Sequence, residues 1–237
     1  MKFIVKYILP SVTLFSLVSC SHSGKRKKLV DHAPAVIRPK SDNEQKASSR
    51  PITLNTLYQE NKDAVFLIYT SDGEKYHQGS GFFISSTGVG ISNYHVFEGT
   101  FRGKEIIKLL NGQEYQISEV LASSKELDYI IFHIKSNGET FPFTQFSNKE
   151  PMIGEGVFAI GNPKGLESTL STGIVSSIRD KEHLIQTTAE ITNGSSGGPL
   201  FNLEGKVIGI TSSGMGEANL NFAVDIQVLN LNSFVGR

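Results

Sequence analysis

A succession of short segments rich in β-branched and aromatic residues is the feature that most constrains the fold of this chain. Gly, Asn and Ser separate the segments, as expected for strands joined by tight turns. The first six candidate strands cover residues 64–70, 79–85, 89–92, 105–110, 114–121 and 129–134. The second six cover residues 156–160, 169–177, 184–188, 199–202, 206–212 and 219–224. So many short strands at close spacing predict a sandwich or barrels.

Helix candidates flank this series of strands on both sides. Residues 54–61 predict a short helix before the first strand. Asp225 is predicted to be the N-cap of a closing helix whose apolar positions are Ile226, Val228, Leu229, Leu231 and Phe234. With 237 residues, 38% of them hydrophobic, the chain can form one sizeable core or two small barrels that share an interface.

The N-terminus predicts export and attachment to a lipid. Lys2 and Lys6 flank the start of an apolar run over residues 7–18, which is shorter than the roughly 20 residues of a membrane-spanning helix. The run ends in LVSC, which resembles a bacterial lipobox whose cysteine is lipidated and becomes the mature N-terminus. We therefore expect a signal peptide over residues 1–19 and an exported lipoprotein anchored in the cell envelope through Cys20. The alternative is an ordinary cleaved signal near Cys20.

The single cysteine and the charge distribution agree with this interpretation. Cys20 is the only cysteine, so it cannot form an internal disulfide. Residues 20–51 predict a flexible tether, because the stretch after Cys20 lacks an apolar period and carries eight basic against three acidic residues. From residue 52 onward there are 13 basic and 20 acidic residues, which argues against nucleic acid as a partner. The tether could contact anionic lipid headgroups or serve only as a solvated spacer.

A glycine-rich run around Ser196, GSSGGPL over residues 194–200, is the sharpest motif in the chain. Glycines let the backbone take φ values that other residues resist, so the Gly194 and Ser196 amides could point together at a developing oxyanion. A serine exposed at such a turn is a candidate nucleophile. Because Gly-Ser runs also occur in plain loops, the assignment needs a base and an acid elsewhere.

His95 and Asp128 are the candidates for these two roles. A serine hydroxyl needs a base because the alcohol is almost never ionised near neutral pH, and His95 lies in the segment ISNYHV over residues 91–96. Asp128 opens an apolar segment, and a carboxylate beside a histidine fixes the tautomer of the imidazole. Either residue alone would be interpreted as structural, so the assignment depends on all three.

These segments resemble those of chymotrypsin-like serine proteases, and in particular of the HtrA/Deg family. GSSGGPL is close to GNSGGPL or GDSGGPL around the nucleophile, ISNYHV resembles TNAHV, and LDYIIF at residues 127–132 resembles DLAVLK. GSGFF at residues 79–83, AIGNPKG at 159–165 and STGIVS at 171–176 resemble GSGF, AIGNPFG and TSGIVS. The resemblance runs from about residue 55 to residue 226, and the order His, Asp, Ser is that of chymotrypsin.

The resemblance implies an all-β fold of two six-stranded antiparallel barrels with a short C-terminal helix. We expect the protease domain over residues 52–237, with one barrel at about 52–140, the other at about 145–237, and the active site between them. The implied activity is that of a serine endopeptidase acting on proteins or peptides through His95, Asp128 and Ser196, with Gly194 and Ser196 as the oxyanion hole. No cofactor is implied, and no metal site is expected because the sequence has no cluster at metal-ligand spacing.

Three positions near the site differ from the family pattern. Tyr94 stands where Ala is common, Asn193 where Pro or Arg is frequent, and Ser195 where Asn or Asp is common. Without an acid at position 195, activation by a salt bridge to a freed N-terminus is not expected. The sequence ends at Arg237, directly after the predicted closing helix, so we expect a protease domain without the PDZ domains that HtrA proteases usually carry.

The substrate-binding residues are predicted from their offsets to Ser196. Ser212 falls where the family's substrate-binding strand begins, followed by Ser213 and Gly214, and its hydroxyl could also support Asp128. Glu190 lies six residues before Ser196, at the base of the primary specificity pocket in chymotrypsin-like proteases, and Asn221 aligns with the opposite wall. A carboxylate there would favour Lys or Arg before the cut. The alternative is that Glu190 points to solvent and the pocket is small and apolar.

Two other functions compete with an active protease. One is a catalytically silent lipoprotein that uses the barrels to bind a partner, and the presence of all three triad residues argues against it. The other is a protease held latent until an effector orders the loop over residues 162–167. The sequence leaves open the choice of natural substrates and the oligomeric state.

Overall fold

The computed structural model describes residues 52–162, 168–212 and 220–234. The predicted signal peptide, Cys20 and the tether lie outside the described residues, as do Ser213 and Gly214. Within the described ranges, no helix is both long enough and apolar enough to cross a membrane.

The predicted helix before the first strand is confirmed as α1, which spans Leu54–Asn61. The Thr53 side chain caps this helix by accepting a hydrogen bond from the Thr56 backbone N–H at 3.2 Å. Leu57 is the buried residue of the helix, with 3% of its surface exposed, and it packs into the largest hydrophobic cluster. Tyr58 packs against the same cluster, and its hydroxyl donates a hydrogen bond to the Ser168 carbonyl at 2.9 Å, so both residues hold the helix to the barrels.

The first sheet contains seven strands, and all their pairings are antiparallel. Their order, β5-β4-β1-β2-β3-β7-β6, forms a half-barrel. The predicted strand over residues 114–121 is divided in two by Gln116, which explains the seventh strand. The strands are β1 (Val65–Ser71), β2 (Tyr76–Phe83), β3 (Val89–Ser92), β4 (Ile106–Lys108), β5 (Glu114–Tyr115), β6 (Ile117–Ser124) and β7 (Tyr129–Ile134).

The second sheet closes into a six-stranded antiparallel barrel in the order β12-β9-β10-β11-β14-β13, with β12 pairing back to β13. A further short strand, β8, runs parallel to β13 on its outer side. Together with the half-barrel, this architecture confirms the predicted all-β, chymotrypsin-like fold. The strands are β8 (Gln145–Phe146), β9 (Gly156–Gly161), β10 (Thr169–Arg179), β11 (Leu184–Thr187), β12 (Pro199–Asn202), β13 (Lys206–Ser212) and β14 (Asn221–Asp225).

The alternation of side chains along the strands builds the cores. Neighbouring residues of a strand point to opposite faces, so Phe82 of β2 packs into the cluster shared by the two sheets while Phe83 packs inside the first sheet. From the second barrel, Phe158 and Phe201 enter the shared cluster and stack with ring centroids 4.8 Å apart. Because this apolar contact joins the two sheets, loops at their adjoining edges are brought together.

The C-terminal region differs from the predicted closing helix. Asp225 does act as an N-cap, because its Oδ1 accepts a hydrogen bond from the Gln227 backbone N–H at 2.9 Å. The cap begins the first of two separate 3-10 turns, Ile226–Val228 and Leu231–Ser233, and no α-helix forms within the described residues that follow it. Leu229 between the turns is extended, with φ −100° and ψ 128°. This backbone lets Ile226, Leu229 and Leu231 all be buried, which their spacing would not allow on one face of an α-helix.

Candidate active site

His95 lies in a 3-10 turn over Tyr94–Val96, which Asn93 joins to the end of strand β3. Both carboxylate oxygens of Asp128 bind this residue: Oδ2 is 2.8 Å from His95 Nδ1, and Oδ1 accepts a hydrogen bond from the His95 backbone N–H at 2.9 Å. Because a carboxylate only accepts hydrogen bonds, Nδ1 is the donor of this bond, which leaves Nε2 as the acceptor in the neutral imidazole. The pair thus fixes the tautomer and orientation that a general base requires.

Asp128 adopts an uncommon backbone conformation, with φ +48° in the left-handed region. Its carbonyl oxygen accepts a hydrogen bond from Asn93 Nδ2 at 2.9 Å, and Asn93 is completely buried. From the second barrel, Ser212 Oγ approaches Asp128 Oδ2 at 3.4 Å, which is a long contact for a hydrogen bond. Asn93 of the first sheet therefore holds the backbone of Asp128, and Ser212 of the second barrel makes only a long contact with its carboxylate.

Ser196 follows a tight turn that spans residues 192–195. The Ser195 N–H donates to the Thr192 carbonyl at 2.9 Å, and Gly194 has φ +96°, a value that glycine accepts without strain. The Ser196 carbonyl accepts a hydrogen bond from the Ser80 N–H at 2.7 Å. Main-chain bonds therefore determine where the predicted nucleophile and the predicted oxyanion donors lie.

Gly197 shows why this motif needs its glycines. Its φ is +90°, and a Cβ added there would lie 2.1 Å from the Ser80 carbonyl oxygen and 2.2 Å from Ser92 Oγ. Real Cβ atoms essentially never come so close to other heavy atoms. The chain of the second barrel thus passes against β2 and β3 of the first sheet at a point where no other residue fits.

One cleft of about 440 Å³ brings the predicted groups together, since His95, Gly194 and Ser196 all line it. Tyr76, His77 and Glu98 form part of its rim. Asp72, in the neighbouring hairpin, contacts His77. The pKa of Asp72 is lowered to about 2, mainly because its carboxylate accepts hydrogen bonds from the Lys75 and Glu74 backbone N–H groups and also one from His77. The Asp72 carboxylate is therefore ionised at neutral pH next to His77 of the rim.

The comparisons with known proteins agree with this geometry. Residues 79–210 match the model of the trypsin-like peptidase domain, a range that includes His95, Asp128 and Ser196. The chain belongs to the trypsin-like peptidase domain family. This family assignment covers more than half of the chain.

Relatives of this protease domain are HtrA-type proteases, as the sequence motifs predicted. A periplasmic serine endoprotease, DegP-like, of Chlamydia pneumoniae is 36% identical over 165 residues, covering 65% of this chain and 33% of the relative. The serine protease HhoA of Synechocystis sp. is 31% identical over 205 residues, covering 81% of this chain and 51% of the relative. The chain thus spans between about a third and a half of these curated relatives.

The solved structure of the serine endoprotease from Yersinia pestis has the same fold as this protease domain. The TM-score is 0.67 and the sequence identity is 28%, and the superposition covers 75% of this chain and 64% of the other. The predicted resemblance to chymotrypsin-fold proteases of the HtrA type is therefore confirmed at the level of family and fold.

The protease domain places Glu190 apart from the cleft of His95 and Ser196. Glu190 is exposed and lines a separate cleft of about 160 Å³ with residues of β9 and β10 and with Ser195. Asn221 does contact the same segment, because its Oδ1 accepts a hydrogen bond from the Ile191 N–H at 3.2 Å. The substrate-binding roles of Glu190, Asn221 and Ser212 stay predictions.

The departure at Ser195 has a main-chain explanation. The Ser195 carbonyl accepts hydrogen bonds from Thr211 Oγ1 at 2.7 Å and from the Gly198 N–H at 3.1 Å. These two bonds and the N–H bond to Thr192 hold the backbone of Ser195 without any charged side chain. The turn therefore does not depend on an acid at this position.

Three polar residues near the site had no role in the sequence predictions. Asn93 binds the Asp128 carbonyl, while Ser80 and Asn162 form a buried network with Gly194. All three lie inside motifs that the sequence analysis had identified, so the sequence indicated the right segments but not the role of these residues. The bonds of Asn93 to Asp128, of Asn162 to Ser80 and of Ser80 to Gly194 join residues 35 to 114 positions apart, which is why no local pattern revealed them.

Proposed function

We propose that this chain is a serine endopeptidase that hydrolyses peptide bonds in proteins of the cell envelope. The observation that carries the proposal is the His95–Asp128 pair, whose imidazole lines the same cleft as Ser196 and Gly194. The names of its relatives, which are serine proteases, support the same reaction class.

In the proposed reaction, Ser196 Oγ attacks the carbonyl carbon of the scissile peptide bond while His95 Nε2 takes the hydroxyl proton. The Gly194 and Ser196 amides stabilise the oxyanion, and Asp128 stabilises the imidazolium that forms. His95 then gives its proton to the leaving amine as the C–N bond breaks. Water, activated by the same imidazole, hydrolyses the acyl-enzyme and restores Ser196.

The test is labelling of the full chain with a fluorophosphonate probe, which reacts only with an activated serine. We expect wild-type protein to be labelled and to cleave fluorescent casein, and Ser196→Ala to lose both, with turnover reduced on the order of 10⁴- to 10⁶-fold. His95→Ala should match the serine variant. Labelling of wild type that persists in Ser196→Ala would overturn the assignment of the nucleophile.

The same experiment separates the proposal from its two rivals. A catalytically silent binding module would show neither labelling nor cleavage under any condition. A latent protease would become labelled only when a peptide or protein effector is added. Constitutive labelling of the isolated chain contradicts both rivals.

We also propose an envelope location with attachment through Cys20. The Chlamydia pneumoniae relative is named as periplasmic, and the predicted lipobox supplies an anchor. Cells that express the chain should incorporate radiolabelled palmitate into wild type and not into Cys20→Ser. Equal incorporation into both forms would remove the lipoprotein proposal and leave the protease proposal unaffected.

A further inference from the structure

The hydroxyl of Ser80 is the centre of a buried network that reaches the predicted oxyanion hole. Ser80 lies on β2 of the first sheet and has no exposed surface. Its Oγ donates a hydrogen bond to the Gly194 carbonyl at 2.7 Å. It accepts hydrogen bonds from the Asn162 backbone N–H at 3.0 Å and from Asn162 Nδ2 at 3.2 Å.

These three bonds use the full bonding capacity of the hydroxyl. A serine hydroxyl has one proton and two lone pairs, and the two Asn162 donors occupy both lone pairs. The single proton is therefore directed at the Gly194 carbonyl. Asn162 is itself held, because its Nδ2 also donates to the Phe66 carbonyl at 3.0 Å and its Oδ1 accepts from the Ser168 N–H at 2.9 Å.

The bond to the Gly194 carbonyl matters because of the turn in which Gly194 lies. In the turn over residues 192–195, Gly194 is the third residue and has positive φ. The peptide between the second and third residues, Asn193 and Gly194, can rotate by about 180°. This rotation changes the φ of the third residue between negative and positive values. In this turn that peptide carries the Gly194 N–H, whereas the Gly194 carbonyl belongs to the following peptide. Ser80 Oγ holds that following peptide at its carbonyl and Thr192 holds it at the Ser195 N–H, so the backbone is fixed on the C-terminal side of the Gly194 amide.

Ser80 binds the loop at two places. Besides the hydroxyl bond to the Gly194 carbonyl, its backbone N–H donates to the Ser196 carbonyl at 2.7 Å. One residue of the first sheet thus holds the carbonyls on both sides of Ser195.

We propose that Ser80, oriented by Asn162, is a positioning residue that keeps the Gly194 amide directed at the oxyanion of the transition state. The inference rests on the proposed protease function, for which Gly194 and Ser196 supply the oxyanion donors. Neither Ser80 nor Asn162 needs to touch substrate for this role.

The first variant is Ser80→Ala, which removes the hydroxyl and keeps the backbone bond to Ser196. Loss of a whole oxyanion donor lowers kcat about 10²- to 10³-fold, so misdirection of one donor should lower kcat by at least about 10-fold. KM should change by less than about 2-fold, since ground-state binding does not use the oxyanion. Turnover is measured with a quenched fluorescent peptide that wild type cleaves.

The matched control is Ser85→Ala, which removes another buried serine hydroxyl. Ser85 lies just beyond the end of the same strand, and its hydroxyl forms a hydrogen bond with the Thr87 hydroxyl. Its kcat should stay within about 2-fold of wild type, because no oxyanion donor is affected. A similar fall in kcat for Ser80→Ala and Ser85→Ala would show a general structural effect and overturn the proposal.

A second measurement separates positioning from mere loss of structure. A peptide aldehyde forms a hemiacetal whose oxygen occupies the oxyanion hole, whereas the matching peptide amide binds without reaction. Ser80→Ala should weaken the aldehyde by the factor lost from kcat/KM and leave the affinity for the amide unchanged. Equal weakening of both ligands would overturn the proposal.

If Ser80→Ala does not fold, Ser80→Cys decides the question, because a thiol is a weak hydrogen-bond donor of similar shape. Its kcat should be reduced with KM retained, and wild-type kcat in a folded Ser80→Cys would contradict the proposal. The two proposals fail in different ways. Wild type without labelling or turnover removes the protease function, whereas active wild type with an equally active Ser80→Ala removes only the role of Ser80.

Discussion

The Asp128 side chain holds His95 on the first sheet, whereas the Gly194–Gly198 loop of the second barrel is held mainly by main-chain hydrogen bonds. The hydroxyls of Ser80 and Thr211 add side-chain bonds to this loop. In the first region, a single carboxylate makes both bonds that orient the imidazole. In the second region, carbonyl and amide groups of Ser195 to Gly198 pair with Thr192, Thr211 and Ser80. The first region should therefore be sensitive to the identity of side chains, and the second to changes of the backbone.

The largest effect is expected from Asp128→Asn, which breaks the side-chain region. An amide in place of the carboxylate can donate to His95 Nδ1 and so stabilise the wrong tautomer, with an expected loss of about 10⁴-fold in kcat. The fold should persist, as monitored by circular dichroism. Asp63→Asn, at an exposed carboxylate paired with Lys62, is the control and should change kcat by less than about 2-fold. A kcat above about a tenth of wild type for Asp128→Asn would contradict the role of Asp128.

Gly197→Ala breaks the main-chain region. The new Cβ would lie 2.1 Å from the Ser80 carbonyl oxygen, and the residue would also keep an unfavourable φ of +90°. The left-handed conformation costs about 1–2 kcal/mol and overpacking about 1–3 kcal/mol, so the free energy of unfolding should fall by about 3 kcal/mol. Urea denaturation measures this change, and the loss of loop geometry should also abolish labelling by the fluorophosphonate probe.

Gly112→Ala separates these two contributions. Gly112 has a similar φ of +86°, but no atom lies within 4 Å of its added Cβ. It should therefore lose only the backbone contribution of about 1–2 kcal/mol and keep full activity. Equal destabilisation in the two variants would show that the close approach at Gly197 is unimportant.

Asn93→Ala sharpens the comparison, because it removes a side chain that supports a backbone feature of the first region. The Asp128 carbonyl would lose its partner, and the residue would no longer be held at φ +48°. We expect kcat to fall about 10-fold, equivalent to about 1.4 kcal/mol of transition-state stabilisation, with little change in KM. Asn61→Ala, which removes a similar bond from Asn61 Nδ2 to the Leu57 carbonyl in α1, is the control for stability. If Asn93→Ala and Asn61→Ala lose the same stability and Asn93→Ala keeps the kcat of wild type, the role of Asn93 is purely structural.

The smallest effect is expected from Glu190→Ala. Glu190 lies beside the main-chain region but lines a cleft that His95 and Ser196 do not line. We therefore expect the cleavage preference of this variant, profiled on a peptide library, to equal that of wild type. If wild type prefers Lys or Arg before the cut and Glu190→Ala loses this preference, Glu190 binds the basic side chain of the substrate, as the sequence predicted.

The sequence by itself determined the elements whose signals are local. Residues 54–61 predicted α1 with the bounds that the structure shows. The spacing of apolar segments and turn residues predicted the β-rich fold, and the motifs around His95, Asp128 and Ser196 named the residues that the structure brings to one region. These features depend on backbone propensity and on short runs of residues, which a sequence displays directly.

Only the tertiary structure decided the features that depend on distant partners. The predicted closing helix became two 3-10 turns because burial of Ile226, Leu229 and Leu231 against the shared core outweighed the local helix signal. The cleft that Glu190 lines with residues of β9 and β10 likewise became visible only in the folded chain. The network of Ser80 joins residues 82 and 114 positions apart, and such contacts form only when the folded barrels bury polar groups that must then find hydrogen-bond partners.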